Sequence, residues 1–309
     1  MGKISMFGLS GSGKTCFLYA MAQVLQGGAC QGNNFRLSVI ANKIQQQMAL
    51  NDGYAEMALN GRWPAGSNTT TPYDLCVRVQ YDGMYSEIIP RLTLLDYAGG
   101  IWTNNNQNAD RDRNNLIKEF AESSAVLFIV DGMTLLHAMD QNDLHPSHRN
   151  VATIQQIVMA RQQISFVENL FKCFKDQYNR TIPPVMVAVT KSDVFADAGE
   201  LEKGKELVKR YLPSIFAKGS GIEAGITSVS LGTGLSAGEN NKIVGRLSLN
   251  TQYNIHLPMV FGLYAYLNEA YDNSPKNEQI EIEHLMNPIR QMMKGKVDMF
   301  KNGYPAIIM

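Results

Sequence analysis

The residues from Gly8 to Thr15 read Gly-Leu-Ser-Gly-Ser-Gly-Lys-Thr, and they follow the short apolar run from Ile4 to Phe7. Glycines in this order let successive backbone N–H groups turn inward around an anion, while Lys14 reaches terminal phosphates and the Thr15 hydroxyl binds a magnesium ion. A helix that begins here directs its positive end at the same phosphates. The pattern predicts a phosphate-binding P-loop, with a glycine-rich turn and an exposed lysine as the alternative. The expected nucleotide contacts are Ser10, Gly11, Ser12, Gly13, Lys14, Thr15 and Cys16.

A second motif, Asp-Tyr-Ala-Gly from Asp96 to Gly99, ends an apolar run that is typical of a buried strand. An acidic residue at the C-terminal end of a strand beside the P-loop strand is placed to support the magnesium ion. Gly99 has no Cβ, so its backbone N–H can approach a γ-phosphate closely. We therefore predict metal support from Asp96 and a γ-phosphate contact from Gly99, with an ordinary turn as the alternative.

A third motif, Thr-Lys-Ser-Asp from Thr190 to Asp193, ends the apolar run that begins at Pro184. The Asp193 carboxylate can accept hydrogen bonds from the N1–H and 2-amino groups of guanine, and the stem of Lys191 can cover the base. Adenine lacks that pair of donors, and an unpaired buried carboxylate is costly, so such a site can discriminate by roughly four orders of magnitude. The motif predicts guanine recognition by Thr190, Lys191 and Asp193, with a plain turn before a helix as the alternative.

Three consecutive threonines, Thr69 to Thr71, lie between the P-loop and Asp96, just ahead of an alternating strand. A threonine at this point can close on the magnesium ion only when a γ-phosphate is present. We expect Thr70 to fill this role, with either neighbour as a substitute. A solvated loop before an edge strand is the alternative.

These four elements occur in the order that the P-loop GTPases use, and the chain resembles a translation-factor-class (TRAFAC-like) GTPase domain. Within that class it is most similar to the bacterial double-GTPase family, which has a long switch I region and no glutamine after its Asp-x-Ala-Gly motif. The resemblance implies GTP and GDP as ligands, Mg²⁺ as cofactor, and a protein effector or activating partner. It also implies that a backbone N–H of the loop led by Ser230 and Leu231, at the end of the strand predicted over 225–230, bonds the guanine O6.

The residue after Gly99 is Gly100, where many small GTPases have the glutamine that orients the attacking water. We therefore expect slow unaided hydrolysis. An arginine can raise GTP hydrolysis by roughly three to five orders of magnitude, and the candidates are Arg62, Arg111 and Arg113. Arg62 precedes the switch threonine, but a surface ion pair is its ordinary role.

Length and composition favour one enlarged α/β domain, because 309 residues that are 45% hydrophobic can bury one large core. The 28 basic and 28 acidic residues balance, so nothing in the overall charge points to nucleic acid or to a membrane surface. The four cysteines form no Cys-x-x-Cys pair, which fits a reducing cytoplasm. We find no signal peptide and no apolar run of transmembrane length.

Strand and helix patterns alternate along the chain, which predicts an α/β fold: a mixed, mostly parallel sheet of the P-loop GTPase type with helices on both faces and long insertions. Strands are expected near 3–8, 73–81, 90–96, 125–131, 184–190 and 225–230. Helices are expected near 14–26, 111–122, 151–178, 199–218 and 258–272. Asp82-Gly83 is a hairpin signal, so the strands at 73–81 and 90–96 should pair antiparallel at one edge.

Residues 1–272 are predicted to form the GTPase domain and 273–309 a helical extension. Apolar residues of the extension recur at helical spacing, which favours packing on its own domain and leaves a docking helix as the alternative. They are Ile282, Leu285, Met286, Ile289, Met292 and Met293, followed by Met299 and Phe300.

Four insertions interrupt the core pattern. The first, 27–66, contains a helical stretch from Ala41 to Leu59 and a tryptophan, Trp63, that can anchor the loop. The second, 102–108, is polar and fits a mobile switch II. The third carries His137, His145 and His148, for which metal binding lacks companion ligands. The fourth spans 232–254 and is rich in glycine and asparagine.

The sequence as a whole predicts a GTP-binding switch that hydrolyses GTP slowly, through Lys14, Thr15, Asp96 and the switch threonine. A non-hydrolysing GTP-binding assembly module is the second hypothesis, and turnover by the pure protein separates the two. A P-loop kinase is disfavoured by the Thr-Lys-Ser-Asp motif and by the lack of an arginine-rich lid.

Overall fold

The structure is a computed structural model that describes residues 2–8, 11–28, 30–32, 35–64, 70–81, 84–86, 92–96, 109–150, 152–178, 182–239, 242–247 and 253–308. The strands are β1 Gly2–Gly8, β2 Cys30–Gly32, β3 Phe35–Ala41, β4 Thr71–Tyr81, β5 Met84–Ser86, β6 Leu92–Asp96, β7 Ala125–Asp131, β8 Val185–Thr190, β9 Glu223–Ser228, β10 Gly232–Ala237, β11 Ile243–Leu247, β12 Asp298–Lys301 and β13 Tyr304–Ala306. The α-helices are α1 Lys14–Gln26, α2 Ile44–Ala58, α3 Ala109–Ala121, α4 Gly132–Ala138, α5 Ile154–Gln177, α6 Ala198–Tyr211, α7 Pro213–Phe216, α8 Leu257–Asn273 and α9 Lys276–Met293.

One large mixed sheet organises the molecule, in the order β13-β12-β9-β8-β7-β1-β6-β4-β3-β2, with β5 paired to β4. The five strands β6, β1, β7, β8 and β9 run parallel, and both margins are antiparallel. The strands β10 and β11 form a separate antiparallel hairpin. This is the predicted α/β architecture.

Helices cover both faces of the sheet because the parallel strands are apolar on both faces. In β7, Leu127 and Ile129 face one core together with α1, α8 and α9, while Val126 and Phe128 face a second core with α3, α5 and α6. All six residues of β8 are buried. The predicted strand and helix pattern of this region is confirmed to within a few residues.

The margin formed by β4, β3 and β2 differs from the prediction. β4 does pair antiparallel with β6, but this pair is not at the edge, because β3 lies on the outer side of β4 and β2 lies outside β3. In β3, alternate residues such as Leu37 and Val39 are buried, and Arg36 is exposed. The first insertion thus extends the sheet before it forms α2, and Asp82-Gly83 lies outside the described residues.

Two helices also differ from expectation. The stretch predicted as one helix over 199–218 is two, because Pro213 has no N–H to continue α6 and instead occupies the first turn of α7. The short helix α4 was not predicted, and it begins where the Asp131 side chain accepts a hydrogen bond from Met133 N.

The C-terminal residues contribute a helix and two strands. Buried residues of α9, among them Leu285 and Ile289, join the core formed with α8, so this helix packs on its own domain. Met299 and Phe300 do not continue the helical stripe, because they belong to β12, which pairs antiparallel with β9. The tail is therefore not wholly helical, and the division at residue 272 stays a prediction. Among the helices of the described residues, none has the length and apolar character that crossing a membrane requires.

Candidate functional site

The P-loop lies at the C-terminal end of β1, which sits between the parallel strands β6 and β7. Open α/β sheets bind ligands at such a point, outside the carboxyl ends of their strands. Gly11 and Gly13 have φ angles of 80° and 83°, a left-handed region that glycine enters without steric cost. Gly13 is also the N-cap of α1 and offers no side-chain cap, so the helix presents its positive end to the loop.

Lys14 is the first residue of α1, and its buried side chain turns back over the loop. Lys14 Nζ donates a hydrogen bond of 2.8 Å to Gly8 O, the last residue of β1. Thr15 and Cys16 follow in the first turn and are half-buried. Phosphate binding by these residues stays a prediction, and Ser10 lies outside the described part of the loop.

The predicted base-reading element meets the P-loop directly. Thr190 Oγ1 donates to Ser12 O at 2.8 Å and lies 3.1 Å from Val130 O. Lys191 Nζ donates to Gly11 O at 3.3 Å. The structure therefore brings together two motifs that are 178 residues apart in the chain.

Asp193 lies beside the residues that follow β9. Ser230 Oγ donates to Asp193 Oδ1 at 3.1 Å, and the backbone N–H of Leu235 in β10 donates to Asp193 Oδ2 at 3.3 Å. A carboxylate has about four acceptor positions, so these two bonds orient Asp193 and still leave acceptor positions for a base. Leu231 is half-buried next to Ser230.

Asp96 and Thr70, two of the three residues predicted to bind the metal ion, lie near each other along the backbone at the end of β6. In register, Asp96 is opposite Met6 of β1 on one side and Thr71 of β4 on the other. Thr70 immediately precedes β4 and is exposed. The backbone thus gathers Asp96 and Thr70 beside the P-loop strand, whereas the Asp96 side chain, Gly99 and the polar segment 102–108 lie outside the described residues.

His145 and His148 form a cluster with Glu200 of α6, while His137 lies within α4. His148 Nδ1 lies 2.8 Å from Oε2 of the buried Glu200, and His145 N donates to Glu200 Oε1 at 2.8 Å. Over the residues that the structure describes, no group of three or more histidine, cysteine or acidic side chains is placed to hold a metal ion. The cluster fastens the segment after α4 to α6.

The first insertion is tied to the β10–β11 hairpin. Trp63 Nε1 donates to Ser236 O at 3.2 Å, and Ile243 N donates to Gly61 O at 2.7 Å. Trp63 thus anchors this loop, as predicted. The Arg62 side chain is 69% exposed and 3.9 Å from Glu56, while Arg111 is exposed on α3 and the Arg113 side chain lies outside the description.

Two contacts of the site were not foreseen from sequence. The Asp131 carboxylate, at the end of β7, accepts a hydrogen bond of 2.6 Å from Lys191 Nζ. The Leu235 N–H bonds Asp193 from the fourth insertion. An acidic residue closing an apolar strand beside the P-loop strand was the available signal for Asp131, whereas a backbone donor such as Leu235 leaves none.

No protein-family model and no curated protein matches the chain. Among solved structures, a mutation variant of SsGBP is 14% identical, with a TM-score of 0.35 over 74% of this chain and 50% of that one. The chain thus spans half the length of that protein. Nucleolar GTP-binding protein 1 of Plasmodium falciparum is 13% identical, with a TM-score of 0.36 over 93% of this chain and 94% of that one. At TM-scores this low, neither similarity says what this chain binds.

Proposed function

We propose that this protein is a GTP-binding molecular switch that hydrolyses GTP slowly with Mg²⁺ and controls a partner protein through its switch segments. The observation that carries this proposal is the contact between the P-loop and the Thr-Lys-Ser-Asp element, through Thr190 Oγ1 and Ser12 O. One ligand with a phosphate chain and a purine can span both motifs. The resemblance to the bacterial double-GTPase family and a cytoplasmic location belong to the same proposal, and they rest on motif order and cysteine usage.

The choice of guanine rests on Asp193. Its carboxylate is oriented by Ser230 and Leu235, and guanine offers two further donors to it. Adenine offers a lone pair at N1 and a hydrogen at C2 at the same positions, so the carboxylate receives no hydrogen bond from that base. That difference supports discrimination by roughly four orders of magnitude.

The phosphate end uses Lys14 and the positive end of α1, and the sequence motif assigns the γ-phosphate contact to Gly99. Thr15, Thr70 and Asp96 are the residues that would hold Mg²⁺, since hydroxyl and carboxylate oxygens are the ligands it prefers. The ion would neutralise charge on the β- and γ-phosphates. With glycine at position 100, no side chain there orients water, and we expect unaided turnover to be slow.

Titration with fluorescent GTP and ATP analogues tests the proposal most directly. Wild-type protein should bind the GTP analogue at least 1,000-fold more tightly, a lower bound on the roughly four orders of magnitude that such sites reach. Asp193→Asn should weaken GTP and favour xanthosine triphosphate, because the amide donates to the 2-oxo group. Asp197→Asn is a matched control, since Asp197 only caps α6 and asparagine caps equally well. Equal binding of ATP and GTP by the wild type would contradict guanine recognition.

Single-turnover hydrolysis on the pure protein separates the switch from the second candidate, a non-hydrolysing assembly module. The replacement of the usual glutamine by Gly100 favours that candidate. Slow but measurable release of phosphate that depends on Mg²⁺ is expected for the switch. Complete absence of turnover, with GTP binding retained, would favour the module.

A further inference from the structure

Asp131 stands where β7 ends and α4 begins, and its two carboxylate oxygens have different partners. Oδ1 accepts a hydrogen bond of 2.8 Å from Met133 N and so caps α4. Oδ2 accepts one of 2.6 Å from Lys191 Nζ. The Asp131 side chain is 16% exposed, so it is held in place on both sides. One residue therefore fixes a helix start and the side chain of a base-reading lysine.

The backbone of Lys191 adopts a conformation that residues other than glycine seldom occupy. Its φ and ψ angles are 53° and 38°, in the left-handed region. Such a conformation persists where its surroundings determine it from several directions. Here Thr190 is bonded to Ser12 O on one side, and Ser192 N donates to Val229 O at 3.2 Å on the other.

Gly132 makes room for that backbone. A Cβ at Gly132 would lie 2.5 Å from Thr190 O and 2.9 Å from Lys191 O, closer than any side chain tolerates. The first residue of α4 thus packs directly against the back of the base-reading loop. Asp131 and Gly132 together form a support for the loop from the neighbouring strand.

The position of the Lys191 ammonium shows what the support does. It lies between Asp131 Oδ2 and Gly11 O, so the stem of the lysine runs from the base-reading loop toward the P-loop. In the ion pair between Lys191 and Asp131, the lysine side chain is 44% exposed, and exposed ion pairs contribute little to folding stability. Its effect should therefore be on where the stem lies instead of on how stable the protein is.

We infer that Asp131 and Gly132 are positioning residues for guanine recognition: Asp131 holds the Lys191 stem along the face of the base, and Gly132 admits the strained loop. This inference rests on the proposed function, because it concerns the same base site. It assigns to the end of β7 a role in nucleotide specificity, whereas the P-loop serves the phosphates.

A double-mutant cycle tests the role of Asp131. Asp131→Asn keeps an oxygen to cap α4 but removes the charge, and Lys191→Met keeps a stem but removes the ammonium. Each change should weaken fluorescent GTP and GDP by about tenfold, the value of one charge-assisted hydrogen bond. The double variant should be no weaker than Lys191→Met alone, because the two residues act through one contact.

Competition by inorganic tripolyphosphate distinguishes positioning from general damage. Its affinity, which reports the P-loop alone, should be unchanged in Asp131→Asn, and the melting temperature should match the wild type. Gly132→Ala should weaken GTP at least as much as Asp131→Asn while also leaving tripolyphosphate binding intact. Asp140→Asn is the matched control, since Asp140 pairs with Arg161 at the surface just after α4.

The outcomes separate this inference from the proposed function. A wild-type protein that binds no GTP would overturn both. A wild type that binds GTP, with Asp131→Asn unchanged or with additive losses in the double variant, would overturn the positioning role alone. Parallel losses of GTP and tripolyphosphate binding would also overturn it, because they would place the defect in the P-loop.

Discussion

The proposed base-reading end of the site and the segment that leads to Thr70 are held in different ways. At the base-reading end, Thr190, Lys191 and Asp193 are each fixed by side-chain bonds to other elements. In the segment before Thr70, the backbone of Gly61 and the ring of Trp63 are fixed, while the Arg62 side chain and Thr70 are exposed. The first arrangement presents a preformed surface to a ligand, and the second leaves charged and hydroxyl groups able to reorient.

The β10–β11 hairpin joins these two regions. Leu235 N donates to Asp193, and the carbonyl of the next residue, Ser236, accepts from Trp63. Adjacent residues of one strand therefore touch the Asp193 carboxylate and the ring of Trp63. A structural change at one of these two contacts has a short path to the other.

The largest effect on nucleotide affinity is expected at the P-loop, which binds the phosphates of the proposed ligand. Lys14→Ala should weaken GTP and GDP by about 100-fold, because it removes a charged donor to phosphate. Thr15→Ala should chiefly weaken the dependence of binding on Mg²⁺, since the hydroxyl serves the ion. Isothermal titration with and without Mg²⁺ measures both, and Lys43→Ala at the surface is the control. Unchanged affinity in both variants would refute the P-loop assignment.

The buried imidazole of His256 should make the stability of the protein depend on pH. Burial, reinforced by the Lys296 charge, lowers the pKa of His256 from 6.5 to about 4. His256 precedes α8 and lies three residues after Tyr253, which pairs with Ser230. His256 binds a proton more readily in the unfolded chain than in the folded protein. Its contribution to the free energy of unfolding is therefore fully present above pH 6.5 and is lost as the pH falls toward 4.

Through His256, the free energy of unfolding of the wild type should fall by about 2 kcal/mol between pH 7 and pH 5. Urea denaturation at the two pH values measures it. His256→Gln should remove most of the difference, whereas the control His284→Gln, an exposed position on α9, should retain it. A wild type with equal stability at both values would show that His256 is not buried in the neutral form.

The contact between Trp63 and the β10–β11 hairpin should contribute less to stability. Trp63→Ala should lower the free energy of unfolding by about 1–2 kcal/mol, because it removes packing and a hydrogen bond. Trp63→Phe should recover the packing part and lose about 1 kcal/mol. If the hairpin couples the two ends, Trp63→Ala also weakens GTP binding although Trp63 is not a ligand contact. Unchanged GTP affinity in Trp63→Ala would show that the hairpin does not couple the two ends.

The smallest effect is expected from Arg62. Its side chain is exposed beside Glu56, so Arg62→Ala should change stability by less than about 0.5 kcal/mol. Single-turnover hydrolysis should be unchanged in Arg62→Ala and in Arg111→Ala. A fall of roughly three orders of magnitude or more in either variant would identify that arginine as the catalytic one.

The sequence predicted the parallel half of the sheet well and the antiparallel margin poorly. β7 and β8 are continuous apolar runs, and α1 follows a motif that defines its first residue. β3 was not predicted, because its alternation of apolar and polar residues is short and lies in a segment that was interpreted as a helical insertion. Composition also made β10 and β11 look like loop, since glycine is common there.

The candidate site divides in the same way. Motif order and strand context predicted that Thr190 and Asp193 belong to the same site as the P-loop, because loops at the carboxyl ends of parallel strands lie at one edge of the sheet. The role of Asp131 depends on which strand neighbours β8, and that of Leu235 on how an insertion folds back. Both are long-range placements that local pattern does not encode.

The antiparallel pairing of β9 with β12 has a consequence for how the chain is made. Thr227 in β9 and Lys296 just before β12 are 69 residues apart and joined by a hydrogen bond of 2.8 Å. A ribosome delivers β9 well before its second neighbour, and an unpaired apolar strand edge invites association with other chains. Until β12 arrives, the edge of β9 that it covers is open to such association, so residues 298–301 protect the nascent sheet once they have been made.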